Sequence, residues 1–327
     1  MRMTKPMATL TLRQCDDKQL IERMLKAGLK GVRINSAHVT AQQLESMVAS
    51  LRQMAPGVAL LVDTKGPELR TGANLRGENI VLAPGQKIEI VNSPDPCTGS
   101  RICFPAEGAT ITLAQGVEMT VDDGLIAIRM LSPTIGEVTK GGVLGERKSV
   151  NLHGCEMPPM PAVSARDKDI LRLSARLGVE MVAHSFVRSA ADIEAVRSEL
   201  QGSQVCLLAK IETAQAAHSI REILEVADGL LVARGDLGEQ ISPYCIPMVQ
   251  RRCAEECRRA DKPMIIATQI LDSMIDRPAP TRAELSDIAL GTWQGADYML
   301  LCGETAHGRW PVECVEVLDK CIKACSE

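Results

Sequence analysis

The sequence predicts an α/β protein: a (β/α)8 barrel of the TIM type, with a small β-barrel lid domain inserted after the third strand. Three observations carry this reading. Eight short apolar, β-branched runs recur along the 327 residues, each followed by an amphipathic stretch, and such alternation implies a parallel sheet. From about Thr71 to Leu152 the helical period disappears, and Gly, Pro and alternating apolar–polar runs replace it. About 240 residues remain outside that stretch, close to the usual size of one such barrel. The expected division is 1–70 for the first part of the barrel, 71–152 for the β-rich insert and 153–327 for the second part.

Taken in order, the barrel strands are expected at Ala8–Leu12, Gly31–Asn35, Val58–Asp63, Val179–Ser185, Gln204–Ile211, Gly229–Ala233, Pro263–Thr268 and Asp297–Cys302. Helix starts are marked by Thr40-x-x-Gln43, Ser164-x-x-Asp167 and Thr281-x-x-Glu284, in which a side-chain oxygen takes one of the orphan amides of the first turn. Gly28 and Gly178 stand where a helix stops before the next strand. In the insert, strands are expected at Ile80–Leu82, Lys87–Val91, Ala109–Leu113 and Ile126–Met130.

Composition narrows the function. Hydrophobic residues are 45% and charged residues 24%, as in a soluble globular chain. A net charge of −4 gives no drive toward nucleic acid or an anionic membrane, and 2% aromatics argues against base-stacking platforms. No apolar run approaches the length that spans a bilayer, and the first dozen residues carry no secretion signal, so a cytoplasmic location is expected. The twelve cysteines show no C-x-x-C pair and read as reduced, packed thiols.

In such barrels the chemistry gathers at the C-terminal ends of the strands. There the sequence places Arg33-Ile34-Asn35, Asp63-Thr64-Lys65 with Arg70 beyond, Lys210-Ile211-Glu212, Arg234-Gly235-Asp236, Thr268-Gln269 and Cys302-Gly303-Glu304. Both signs of charge converge. Arg33, Arg70, Lys210 and Arg234 suit phosphate and carboxylate groups. Glu212 and Asp236 supply hard oxygens for Mg2+ or Mn2+, whose remaining ligands come from substrate and water. Cations beside a hard metal make phosphoryl transfer the natural reading. No Walker-type loop or Gly-rich dinucleotide fingerprint is present.

At these residues the sequence resembles the pyruvate kinase family. The matching stretches include Asp63-Thr-Lys-Gly-Pro-Glu-Leu-Arg-Thr-Gly72, Val121-Asp-Asp-Gly-Leu-Ile126, Ser185-Phe-Val-Arg188, Ala209-Lys-Ile-Glu212, Val232-Ala-Arg-Gly-Asp-Leu-Gly238, Ala267-Thr-Gln-Ile-Leu-Asp-Ser-Met274, Pro280-Thr-Arg-Ala-Glu284 and Gly303-Glu-Thr-Ala306, in the family's order over nearly the whole chain. The resemblance implies transfer of the phosphoryl group of phosphoenolpyruvate to ADP, giving pyruvate and ATP, with Mg2+. It implies that Lys210 stabilises the transferring phosphoryl and the enolate, and that Glu212 and Asp236 hold the divalent ion. It places the substrate carboxylate on the Gly235 and Asp236 amides, and Thr268 beside the enolate carbon. Arg33 and Arg70 then contact phosphates, Asn35, His38 and Lys148 lie on the nucleotide side, and Asn35, Asp63 and Thr64 form a K+ site.

Some positions depart from the family. The hydroxyl ligand of K+ is replaced by Ala37 while Glu68 is retained, which leaves the K+ requirement open; Cys302 and His307 stand for a serine and a lysine. The chain stops at Glu327, where the eighth barrel helix should finish, so neither a C-terminal domain nor its sugar-phosphate control is expected. A homodimer through the barrel stays open. The altered nucleotide side admits two rival readings: a 2-keto acid enzyme with another phosphoryl partner or plain enolate chemistry, and a non-catalytic metabolite-binding paralogue.

Overall fold

The computed structural model describes residues 3–105, 112–122, 124–153 and 160–326. Among these, three strands precede the insert, β1 (Lys5–Thr9), β2 (Gly31–Asn35) and β3 (Ala59–Asp63). Eight lie within it: β4 (Ile80–Leu82), β5 (Lys87–Asn92), β6 (Arg101–Phe104), β7 (Glu118–Val121), β8 (Ile126–Ser132), β9 (Ile135–Lys140), β10 (Gly142–Leu144) and β11 (Val150–His153). Five follow: β12 (Met181–His184), β13 (Cys206–Ile211), β14 (Gly229–Ala233), β15 (Met264–Ala267) and β16 (Tyr298–Leu301).

The first and last groups form a closed barrel in the order β1-β16-β15-β14-β13-β12-β3-β2. Neighbours pair in parallel, as in β2 with β3 (Arg33 opposite Leu61) and β13 with β14 (Lys210 opposite Leu231). Parallel strands covered by helices on one side and barrel interior on the other bury both faces, which is why β14 and β15 are continuous apolar runs. The interior cluster includes Met7, Leu61, Leu208, Leu231, Ile265 and Leu300, with Ala183, Ala233 and Ala267 near the strand ends. Those alanines occupy little volume where long polar side chains must fit.

The capping signals act as expected. The Thr40 hydroxyl accepts the Gln43 amide while the Gln43 side chain accepts the Thr40 amide, and Thr281 and Glu284 do the same. Ser164 accepts the Asp167 amide, and Gly178 ends its helix in the left-handed conformation. The first strand lies earlier than the expected Ala8–Leu12. Thr11 leaves the sheet because its amide and hydroxyl both bond the Gln14 side chain, and a short helix starts at Leu12. No helix among the described residues is long and apolar enough to cross a membrane, and the eleven described cysteines are free thiols.

The chain divides into Met1–Gly66 with Val163–Glu327, and Pro67–Ala162. The second unit is wider than the expected 71–152 on both sides. Leu69 is buried in its core beside Val150 and Leu152, and Met160 packs on the same cluster. The unit contains a six-stranded sheet, β11-β7-β8-β9-β5-β6, and a two-stranded one, β10-β4. The sheet is not closed among the described residues, in contrast to the small β-barrel expected, because β11 and β6 remain its edges. The strand expected at Ala109–Leu113 lies largely outside the described residues.

Candidate active site

Within the barrel unit the ends of β2, β3, β12 and β13 bring five side chains into one ionic chain. The Arg33 guanidinium donates to Asp63 Oδ2 through Nε (2.8 Å) and through Nη1 to Thr9 Oγ1 (3.2 Å), and its Nη2 forms an ion pair with Asp63 Oδ2 at 2.7 Å. Asp63 Oδ1 accepts from the Ser185 hydroxyl (3.0 Å) and lies 3.3 Å from Lys210 Nζ. Lys210 Nζ also donates to Ser185 Oγ (2.7 Å) and stands 3.1 Å from Glu212 Oε2. Glu212 Oε1 accepts the Phe186 amide at 2.6 Å, and Phe186 adopts a left-handed φ of 54° to present it. Gly66 makes room for this arrangement: at φ +68° its missing Cβ would fall 2.2 Å from the Ser185 carbonyl.

The electrostatics follow from burial and neighbours. Burial by itself would raise the Asp63 pKa, but the Lys210 and Arg33 charges and the hydrogen bonds from Arg33 and Ser185 together hold it below the ordinary range. Burial would lower that of Lys210; Asp63, Glu212 and Asp236 outweigh it, so the ammonium stays charged. Glu212, wholly buried, is pushed up to about 8, chiefly by desolvation and then by Asp236 and Asp63, against the Lys210 charge. Burial also raises the Cys302 thiol, more than the Arg33 charge lowers it, so this cysteine is no thiolate nucleophile.

The ends of β14 and β15 make a second arrangement with a different character. Thr268 and Gln269 both have positive φ, 67° and 54°. The Gly235 amide donates to Thr268 Oγ1 at 2.7 Å, and that hydroxyl donates to the Ala267 carbonyl at 2.6 Å. Arg234, expected to face phosphate or carboxylate groups, instead turns back into the fold. It donates to the Thr268 carbonyl through Nε (3.2 Å) and Nη2 (2.8 Å), to the Gln269 carbonyl (3.0 Å) and to Asp287 (2.6 Å). Buried Glu304 accepts the amides of Ile270, Leu271 and Cys302, tying β15 to β16.

The donor set fits a hard divalent cation. Glu212 Oε2 is buried and has no hydrogen-bond partner: its contact with Lys210 is ionic in distance but outside hydrogen-bond geometry. Asp236 is exposed on the next strand's end and close enough to raise the Glu212 pKa. Among the described residues no group of three or more His, Cys, Asp or Glu converges, so an ion held by these two carboxylates completes its shell with substrate and water oxygens. The expected monovalent set fits less well. Asn35 Oδ1 accepts the Ala37 amide, the Thr64 carbonyl and Asp63 Oδ1 share the Ser185 hydroxyl, and Ala37 brings no oxygen. Ser36 does not replace it, since its buried hydroxyl is turned onto the Asp63 carbonyl at 2.7 Å.

Beside Arg33 opens a cavity of about 520 Å³ lined by Thr9, Asn35, His38, Cys302 and His307, among others. Arg70 and Lys148 belong to the other unit, where Arg70 pairs with Glu68 and donates to the Arg147 carbonyl, and Lys148 pairs with Asp122 at 3.0 Å. Sequence reasoning gave no role to Ser185, Asp287 or Glu304. Ser185 had a legible signal, a hydroxyl at a strand end within a stretch of polar strand ends. Asp287 had none, because its partner lies 53 residues away. His184 is buried with Nδ1 2.8 Å from the Thr64 hydroxyl, and His153 lies 2.9 Å from the Thr120 hydroxyl, both satisfied structurally.

Comparison with known proteins gives a consistent picture. The family described as "Pyruvate kinase, barrel domain" matches residues 1–315. The chain is 36% identical to the pyruvate kinase of Sporosarcina psychrophila over 98% of its own length and 56% of that protein's. It is 33% identical to that of Borreliella burgdorferi, over 98% and 68%, and 36% identical to pyruvate kinase PKLR of Homo sapiens, over 91% and 55%. The chain thus spans little more than half the length of most of the curated relatives it matches.

Proposed function

The chain belongs to the pyruvate kinase family, and from that premise we propose that it transfers a phosphoryl group between phosphoenolpyruvate and ADP. The observation that carries the reading is Lys210: a buried ammonium, kept charged by Asp63 and Glu212, beside a carboxylate oxygen that lacks a hydrogen-bond partner. In the reaction the phosphorus–oxygen bond to the enol oxygen breaks, a new one forms to the terminal oxygen of ADP, and the enolate takes a proton on its methylene carbon. Negative charge moves from the equatorial phosphoryl oxygens to the leaving enolate oxygen. Lys210 and Arg33 are fixed cations for both, and cost no reorganisation because Asp63 and Ser185 already hold them.

Glu212 and Asp236 are the residues proposed to hold Mg2+ or Mn2+, which supplies charge neutralisation on the phosphoryl oxygens. The Asp236 amide is assigned to the substrate carboxylate, because the Gly235 amide expected to share it already donates to Thr268 Oγ1, and the Thr268 hydroxyl is assigned to protonation of the methylene carbon. Asn35 and His38 line the cavity assigned to ADP. No step is assigned to K+. A cytoplasmic location is part of the same proposal.

The test is ATP formation from phosphoenolpyruvate and ADP with Mg2+, with and without K+, using Lys210→Met as the blank. Turnover that vanishes in the blank supports the reading. Saturable phosphoenolpyruvate binding without ATP formation overturns the assignment of ADP as acceptor.

A further inference from the structure

We propose that Arg234 and Asp287 act together as positioning residues for Thr268, holding its hydroxyl in a turn that the chain would otherwise abandon. The inference rests on the reaction above for its kinetic consequence, but its structural basis is independent of it. Two consecutive residues with side chains, Thr268 and Gln269, occupy the left-handed region. For an L residue this region is disfavoured by the contact of Cβ with the backbone, and a β-branched threonine is among the least tolerant. Such a conformation persists only where the surroundings over-determine it.

One guanidinium provides that constraint. Nε and Nη2 of Arg234 grip the Thr268 carbonyl, and Nη2 also reaches the Gln269 carbonyl, so three hydrogen bonds fall on the two strained peptides. The remaining nitrogen, Nη1, is anchored by Asp287 on the helix Arg282–Gln294. The planar fork allows both engagements at once, which a lysine cannot do. On the far side Glu304 fixes the amides of Ile270 and Leu271. The position of Thr268 Oγ1 is therefore set from both flanks, and it meets the Gly235 amide, the residue next to Arg234, at 2.7 Å. The same cation thus fixes both partners of that hydrogen bond. The Asp287 side chain is 29% exposed, so replacing it leaves the core packing intact.

Two measurements test this in the intact protein. The first is hydrogen exchange at the Gly235 amide in Asp287→Asn and Arg234→Lys. Roughly tenfold faster exchange, with amides of β2 and β3 unchanged, is expected, because the amide loses a fixed acceptor. Exchange equal to that of the unsubstituted protein in both variants overturns the proposal, whether or not the chain makes ATP. The second is a double-mutant cycle on turnover. Asp287→Asn should lower kcat roughly tenfold with the KM for phosphoenolpyruvate within about twofold, and add nothing to the loss in Thr268→Val. A purely structural role predicts losses that multiply, and that result overturns the proposal. Absence of ATP formation in the unsubstituted protein defeats the proposed function and leaves the exchange measurement to decide this one.

Discussion

The two halves of the candidate site hold their functional groups by opposite means. At the ends of β2, β3 and β13, buried ionisable groups restrain one another: Arg33, Asp63, Lys210 and Glu212 form one chain with Ser185 bridging it. At the ends of β14 and β15, a single cation acts on backbone carbonyls and holds two residues in a conformation they disfavour. The first half stores its cost in desolvation, the second in backbone strain. Damage to the first leaves a charge without a partner, whereas damage to the second lets the turn relax.

That contrast sets an order of expected effects. Lys210→Met removes the fixed cation from the proposed transition state and should lower turnover by about 10³-fold or more, read in a coupled ATP assay. A loss below tenfold would break the assignment of the ionic half to the chemistry. Asp63→Ala should cost about 3–5 kcal/mol in reversible denaturant unfolding, since it leaves Arg33 and Lys210 buried without their shared carboxylate. If Asp63→Ala and Asp287→Asn cost the same, the two halves are not held differently.

The third effect depends on pH. In the folded state Glu212 titrates near 8 against an ordinary value near 4.5, so between these values the folded protein binds more protons than the unfolded one. The stability owed to this group is therefore full at low pH, falls as pH rises from about 4.5 to 8, and is gone above 8. On the proposed metal role, a divalent cation would take the place of this proton. The rise in melting temperature on adding Mg2+ should grow from pH 6 to pH 8.5, and flatten in Glu212→Gln. A rise independent of pH in both proteins would remove Glu212 from the metal site.

The smallest effect has the opposite sign. Exposed Gln269 sits at φ 54°, so Gln269→Gly should stabilise the fold by about 1 kcal/mol, seen as a higher denaturant midpoint at constant slope. If it destabilises instead, the turn is not strained and the second half of the comparison fails.

Much of this was legible in the sequence because its signals are local. The strands Gly31–Asn35 and Gly229–Ala233 are bounded as expected, since each opens on a glycine, carries branched aliphatic residues and is closed by a polar residue, Asn35 or Arg234. Thr40 and Thr281 cap helices through a capping box written within four residues, and Ser164 caps its helix by accepting the Asp167 amide. In the insert, Ile135–Lys140 and Val150–His153 went unrecognised, since short alternating segments with Gly and Lys carry weak patterns. At the site, residue types at strand ends pointed to Lys210, Asp63 and Glu212, but not to how they pair. Arg234 was misread for the same reason: sequence reports its charge, whereas the carbonyls of Thr268 and Gln269 that consume it become available only through their dihedrals.

Barrel closure has a consequence for synthesis on the ribosome. Met7 of β1 pairs with Gly31 of β2 on one side and with Leu300 of β16 on the other. The second neighbour is made roughly 290 residues after the first strand, which at about 5–20 residues per second means tens of seconds of translation. Throughout that interval one edge of β1, lined by buried residues such as Met7 and Ala8, has no strand to pair with. The nascent chain must therefore keep an apolar, hydrogen-bond-hungry edge from other chains until β16 emerges.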